Sequence, residues 1–364
     1  MSVQAAEAVP PALRVIEPKL LLPRVHAGTL RRARLFELLD DVDGAALTVL
    51  NAAVGYGKTT LLRSWCAERP EPVIWMTLDA NDDDPARLWT HVATGVERLG
   101  DGLGQRALTS LGIRGAAFET GVDELMNGLV AYGRPATIVL DDLHAVTGED
   151  SLRSIEYAIS RLPSTVRLLA ATRSDPAIGL APLRAKRALI EIRARELSFT
   201  VDEACELIAR EGVELSDDGV ELLVKRTEGW PAGLYLAALW LRDLDDPDRG
   251  VRAFAGSARQ VADYLTDEVI SGLDRETRDF LVRTSVLDGF TPELCDAVLG
   301  REDSAAVLAE LARSNMFLVA LDPEGKWYRY HHLFRELLRL ELEHEEARSV
   351  RRGAAAMVSC PRAH

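Results

Sequence analysis

The sequence predicts an α/β domain with a parallel sheet between helices, followed by an α-helical domain and a winged-helix domain. Three observations predict it. Short apolar runs without in/out alternation recur between amphipathic stretches up to about residue 195. Strand character then fades into helical periodicity, and a single hairpin pattern interrupts the later helices. Strands that are apolar throughout and separated by helices indicate a parallel sheet covered on both faces.

In chain order, the first 20 residues carry Pro10, Pro11 and Pro18 and read as an extended lead-in. The expected strands are ALTVL (46–50), VIWMTL (73–78), TIVL (137–140), VRLLAAT (166–172) and ALIEI (188–192). Between them LLRSWCAER (61–69), RLWTHVATGVERL (87–99) and SIEYAISRL (154–162) read as helices. The domain is expected to span 21–195, with a helical domain over 196–245. That second domain opens on Thr200 and Glu203, the spacing in which a hydroxyl and a carboxylate cap a helix start reciprocally. The polar stretch DLDDPDRG (243–250) reads as a boundary, and a winged-helix domain is expected over 246–345. There FLVAL and KWYRY flank Asp322-Pro323-Glu324-Gly325, a hairpin before a helix. The tail, 346–364, is atypical, its last dozen residues looking unlike the expected helix.

A chain of 364 residues suggests two or three cores. The net charge of −14 argues against broad nucleic-acid binding, which needs clustered Lys and Arg. Cys66, Cys205, Cys295 and Cys360 lie far apart without a C-x-x-C pair, so neither a disulfide framework nor a zinc site is expected, and a reducing cytoplasm fits. The N-terminus shows no secretory signal, and the longest apolar run, AGLYLAALWL, is too short to span a bilayer. A cytoplasmic chain without membrane contact is the expectation.

The chemistry centres on LTVLNAAVGYGKTTLLRSW, residues 47–65. It ends as a phosphate-binding loop should, in Gly57-Lys58-Thr59, with Ala52 where the first glycine of G-x-x-x-x-G-K-[ST] is usual. Consecutive backbone N–H groups from Ala53, Val54, Gly55, Tyr56, Gly57, Lys58, Thr59 and Thr60 would converge on the phosphates of ATP or ADP at a helix N-terminus. Lys58 would neutralise the β/γ-phosphates and Thr59 would take Mg²⁺. The acid for the same metal is expected at the end of a later apolar strand. ATIVLDDLH supplies Asp141, holding Mg²⁺ partly through water, and Asp142, orienting the attacking water. Arg173, ending VRLLAATRSDP, is a candidate γ-phosphate sensor. Arg184, Lys186 and Arg187 form a basic cluster open to a nucleotide, another domain or plain solvation.

These motifs, with ELSFTVDEA, TEGWPAGLYLAAL, VADYLTDEV and YRYHHLFRELLR, occur in the order seen in MalT-type regulators. Those are large ATP-binding regulators of the LuxR family, within the STAND class of signal-transduction ATPases. The resemblance covers roughly residues 18–345, and the family's loop commonly begins with alanine, as at Ala52. It implies that nucleotide-binding, helical and winged-helix domains clamp ADP in a resting state. It further implies that Pro231 packs near the adenine, and that His331, in preference to His332, reaches the β-phosphate. ATP-dependent self-association or association with full-length relatives, slow hydrolysis, and DNA binding through a C-terminal domain absent from this chain are implied likewise. An adenine contact near Arg32 fits the family pattern only loosely. Family members continue into helical sensor repeats and a helix-turn-helix, which this sequence lacks; a natural stand-alone module and a truncated or frameshifted product are both open. The competing readings are a P-loop kinase or motor with turnover as its purpose, and a non-hydrolysing interaction module.

Overall fold

The computed structural model describes residues 14–24, 28–40, 45–113, 115, 117–254, 259–322 and 324–358. The start of the expected lead-in, Pro323 of the hairpin turn, Cys360 and the last residues of the tail lie outside the described residues. The chain forms two compact units. The first comprises residues up to Ala52 and Gly57–Leu197; the second comprises Ala53–Tyr56 and residues from Ser198 onward.

The first unit opens with α1 (Ala33–Asp40), β1 (Leu47–Asn51) and α2 (Lys58–Ala67). It continues through β2 (Val73–Thr77), α3 (Pro85–Glu97), α4 (Gln105–Leu111), α5 (Phe118–Tyr132) and β3 (Ala136–Asp141). It closes with α6 (Glu149–Arg161), β4 (Val166–Thr172), α7 (Leu180–Ala185), β5 (Leu189–Arg193) and α8 (Ala194–Leu197). The five strands form one parallel sheet in the order β2-β3-β4-β1-β5. Every residue of β1 and β3 is buried. Side chains alternate across a strand, so burial of all of them requires cover on both faces. Leu47, Val49, Ile138, Leu140, Leu168 and Ala170 pack with Leu88, Val92, Val122, Leu125 and Ile155 of α3, α5 and α6 on one side. The strands β1, β3 and β4 end together, as the pairings Asn51 with Thr172 and Leu140 with Ala170 record, so the loops after them share one sheet edge.

Beside β2 the segment before α1 is pinned by a buried cation. Lys19 Nζ lies 2.8 Å from Asp79, and the fully buried Asp82 takes it as well at 2.5 Å. The Ile16 amide donates to His91 Nε2 of α3 at 3.1 Å. A lysine this buried is tolerable only because its charge is matched.

The second unit contains α9 (Val201–Arg210), α10 (Asp217–Thr227), α11 (Pro231–Leu241), α12 (Pro247–Ala253) and α13 (Arg259–Glu268). Then follow α14 (Arg275–Thr284), α15 (Pro292–Leu299), α16 (Ser304–Arg313), β6 (Leu318–Ala320), β7 (Tyr328–Tyr330) and α17 (His332–Val358). Thr200 Oγ1 accepts from the Glu203 amide and the Glu203 carboxylate accepts from the Thr200 amide, both at 3.2 Å, so the reciprocal cap that starts α9 is made. The β6 and β7 strands pair antiparallel, Leu318 with Tyr330 and Ala320 with Tyr328. Asp322 closes their turn by accepting from the amides of Lys326 and Trp327. The hairpin is shorter than FLVAL and KWYRY suggest, because Phe317 adopts φ +51° and leaves the extended conformation before the ladder begins.

Candidate nucleotide-binding site

In the first unit β1 delivers the chain to Ala52, fully buried, whose amide donates to Thr172 O of β4 at 3.4 Å. A methyl at this strand end has its place, which is why the missing first glycine costs nothing. Gly57, at φ +73°, is the residue before α2, and a Cβ there would meet no atom within 4 Å. Its glycine is therefore demanded by backbone conformation and not by space.

Lys58 is buried and donates to Ala52 O at 2.6 Å. Burial, and then Arg173, pull its ammonium down to about 8, against the attraction of Asp142 and Asp141. Thr59 Oγ1 donates to Asp141 Oδ1 at 3.0 Å, joining the start of α2 to the end of β3. Burial and the adjacent Asp142 carboxylate push Asp141 up to about 6, against the Thr59 hydrogen bond and Lys58. An ammonium and a carboxylate are thus both displaced toward neutrality within one cluster. Phosphates beside Lys58 and a cation beside Asp141 would each restore the charged form.

The donor set fits Mg²⁺. Thr59 and Asp141 offer oxygen atoms, and Mg²⁺ ordinarily takes only one or two protein oxygens and keeps waters and phosphates for the rest. No group of three or more potential metal-binding acid, histidine or cysteine side chains occurs among the described residues. Asp142 turns back at φ +59°, a left-handed conformation in a non-glycine residue, and begins a tight turn whose His144 lies 3.8 Å from its carboxylate. Arg173 follows β4 and bears electrostatically on Lys58 and His144. Lys58, Thr59, Asp141, Asp142 and Arg173 are therefore brought together.

Two basic candidates are engaged elsewhere. Arg184 Nε and Nη2 donate to Glu191 of β5 at 2.7 and 2.8 Å. Arg32 is buried and donates to Leu197 O at 2.7 Å.

The second unit carries the other expected residues. Pro231 occupies the first turn of α11, where its missing N–H costs no hydrogen bond. Ahead of it Glu228 and Gly229 are both left-handed, at φ +52° and +70°. Trp230, fully buried, packs edge-on against Phe317 and His331, with ring centroids 5.2 and 5.9 Å away. Its indole Nε1 donates to Val54 O at 3.1 Å, and the Ala232 amide donates to Gly55 O at 3.0 Å. A Cβ on Gly55 would lie 2.7 Å from Ala232 Cβ and 2.8 Å from the indole nitrogen, so this glycine is fixed by space as well as by its φ of +77°.

His331 is buried, and its Nε2 lies 3.0 Å from Thr227 O. Burial holds the imidazole below its ordinary pKa, against Glu228 and the Thr227 carbonyl, so the ring is neutral near pH 7. Its Nδ1 is buried with no hydrogen-bond partner among the described residues. His332, half exposed, pairs instead with Glu336 at 3.3 Å. Glu228 accepts from both terminal nitrogens of Arg329 at 2.7 Å each, and from the His332 amide.

Sequence reasoning missed four features: Trp230, the Glu228–Arg329 pair, the grouping of residues 53–56 with the second unit, and His144. Trp230 and Glu228 stand inside the quoted TEGWPAGL, and His144 inside DDLH, but nothing local distinguishes them from core or solvated residues.

Residues 266–350 match the family of the MalT winged helix domain. The HTH-type transcriptional regulator MalT of Yersinia enterocolitica is 30% identical over 337 residues, covering 92% of this chain and 37% of that protein. MalT of Cronobacter sakazakii is 29% identical over 348 residues, covering 94% and 38%. The chain is a homologue of the MalT-type regulators. It spans well under half the length of the MalT proteins it matches. A Walker-type ATPase of Pyrococcus abyssi superposes with a TM-score of 0.60 at 15% identity, covering 85% of this chain and 96% of that one, which shows a shared fold. The MalT-like chain therefore combines a P-loop ATPase fold with helices and a winged helix. No helix among the described residues is long and apolar enough to cross a membrane.

Proposed function

We propose that this chain is the nucleotide-operated switch of a MalT-like transcriptional regulator, at rest with ADP, self-associating with ATP and reset by slow hydrolysis. The observation that carries the reading is the Thr59–Asp141 hydrogen bond beside buried Lys58, the arrangement a phosphate–Mg²⁺ site requires. Residues 53–60 would cradle the phosphates with backbone N–H groups. Lys58 would leave Ala52 O and bind the β/γ-phosphate oxygens, regaining full charge. Bound Mg²⁺ would neutralise charge developing on the phosphates. Thr59 and Asp141 would hold the metal, Asp141 partly through water. Asp142 would orient the attacking water, and Arg173 would sense the γ-phosphate. Pro231 would offer the adenine apolar surface. His331 would present Nδ1 toward the β-phosphate, which gives that unpartnered nitrogen a use.

A switch works by differential affinity: ADP and ATP must favour different conformations, or no amount of binding moves the equilibrium. Partners are the nucleotide and further copies or relatives of this chain. The net charge of −14 gives no support to operator reading by these residues, and on this reading the chain would act in the cytoplasm. The test is light scattering of purified chain with ADP, with ATP, and with ATP after Lys58→Ala. The switch predicts a larger species with ATP that Lys58→Ala abolishes. One size under all conditions, with turnover above about one per second toward a small acceptor, would replace it with the kinase reading.

A further inference from the structure

His144 stands two residues beyond Asp142 in a short turn that leaves β3. The turn is closed by the Ala145 amide donating to Asp142 O at 2.9 Å and the Val146 amide donating to Leu143 O at 3.1 Å. Leu143 and Val146 are buried, so the turn is pinned to the core on both sides of the histidine. The left-handed backbone of Asp142 swings its carboxylate back alongside the imidazole, with Oδ1 3.8 Å from Nδ1. A left-handed aspartate is a strained conformation that persists where its surroundings impose it.

His144 Nδ1 is itself buried and has no hydrogen-bond partner among the described residues. A buried ring nitrogen left this way is unusual in a folded chain. The charged neighbours that bear on the ring are Asp142, Arg173 and Lys58. Burial first, then Arg173 and Lys58, favour the neutral imidazole against the pull of Asp142, and the acid beside Nδ1 favours the tautomer with its proton on that nitrogen. The Asp142 side chain is 37% exposed, and its carboxylate lies less than 1 Å beyond hydrogen-bond distance of the ring nitrogen.

We propose that His144 is a positioning residue for hydrolysis, donating from Nδ1 to one oxygen of Asp142 so that the other accepts from the attacking water. This rests on the reading of the site as an ATP-hydrolysing one. In the step it serves, the water oxygen bonds to the γ-phosphorus and the bond from that phosphorus to the β,γ-bridging oxygen breaks. The electron pair leaves with ADP, and the water proton passes to Asp142. His144 keeps its proton throughout and acts only on the direction and hydrogen bonding of the carboxylate.

Asparagine carries an amide nitrogen close to where Nδ1 stands, whereas leucine carries none, so the two substitutions separate positioning from bulk. The experiment measures single-turnover ATP hydrolysis and ADP affinity for wild type, His144→Asn, His144→Leu and Lys58→Ala. Nitrogen-15 spectra of the nucleotide-free protein report the ring tautomer, with the His144 signal assigned by its loss in His144→Asn. We expect His144→Leu to slow hydrolysis about tenfold, His144→Asn to recover most of that, ADP affinity to stay within about twofold in both, and the ring to carry its proton on Nδ1. Wild-type hydrolysis in His144→Leu, equal slowing in both variants, or a proton on Nε2 would each overturn the proposal. Hydrolysis that survives Lys58→Ala would overturn the reading of the site, and the proposal with it.

Discussion

The cluster at the end of β3 in the first unit and the aromatic cluster around Trp230 in the second treat charge in opposite ways. In the first, Lys58 and Asp141 are both held away from their ordinary protonation equilibria, and what displaces each is chiefly burial. In the second, Glu228 and Arg329 meet in a two-pronged pair, His331 is neutral, and apolar rings fill the space around it. In the second cluster the charges are matched within the protein, and His331 Nδ1 is left without a partner among the described residues. The first would gain from an added anion and cation. The difference is between charges matched inside the protein and charges held buried without a full match.

Substitutions should expose the contrast as opposite signs. The largest effect is expected in the aromatic cluster: Trp230→Ala empties a fully buried indole site and removes the donor to Val54 O. We expect a loss of about 3–5 kcal/mol in urea unfolding, a magnitude set by the cavity. Glu228→Gln comes next, because it leaves Arg329 without its charged partner. The pair is partly exposed, so the expected loss is about 2 kcal/mol, measured in the same titration.

Asp141→Asn should act the other way. The folded chain holds this carboxyl near 6, above its ordinary 3.8, so between those values the folded state binds more protons than the unfolded state. Its contribution to stability is therefore lost as pH rises through about 6, and at pH 7.5 ionised Asp141 costs the nucleotide-free chain free energy. Asp141→Asn should stabilise that chain by about 1–2 kcal/mol at pH 7.5, and the gain should vanish near pH 4. The same variant should lose Mg²⁺-dependent hydrolysis. A destabilised Asp141→Asn at pH 7.5 would remove the distinction between the two clusters.

What was legible in the sequence follows from the range of the forces involved. VRLLAAT coincides with β4, and Thr200 with Glu203 forms the expected cap, because strand burial and capping are set by neighbours a few residues away. Lys58, Thr59 and Asp141 were readable because one loop and one strand end carry them, and the parallel register of the sheet brings those two ends together. The second set was not. That Gly55 must clear Trp230, or that Glu228 binds Arg329, depends on residues about a hundred or more positions apart with no spacing rule between them. His144 stood in plain view, but its meaning depends on the left-handed Asp142, a conformation ordinary residues rarely adopt and sequence does not announce.

The most direct measurement is calorimetric titration of Mg²⁺·ADP into the purified, nucleotide-free chain and into Lys58→Ala. If Lys58 leaves Ala52 O for the phosphates, wild type binds with an affinity that Lys58→Ala weakens by about a hundredfold or more. Equal affinity of the two chains for ADP, or no binding by either, would contradict the account.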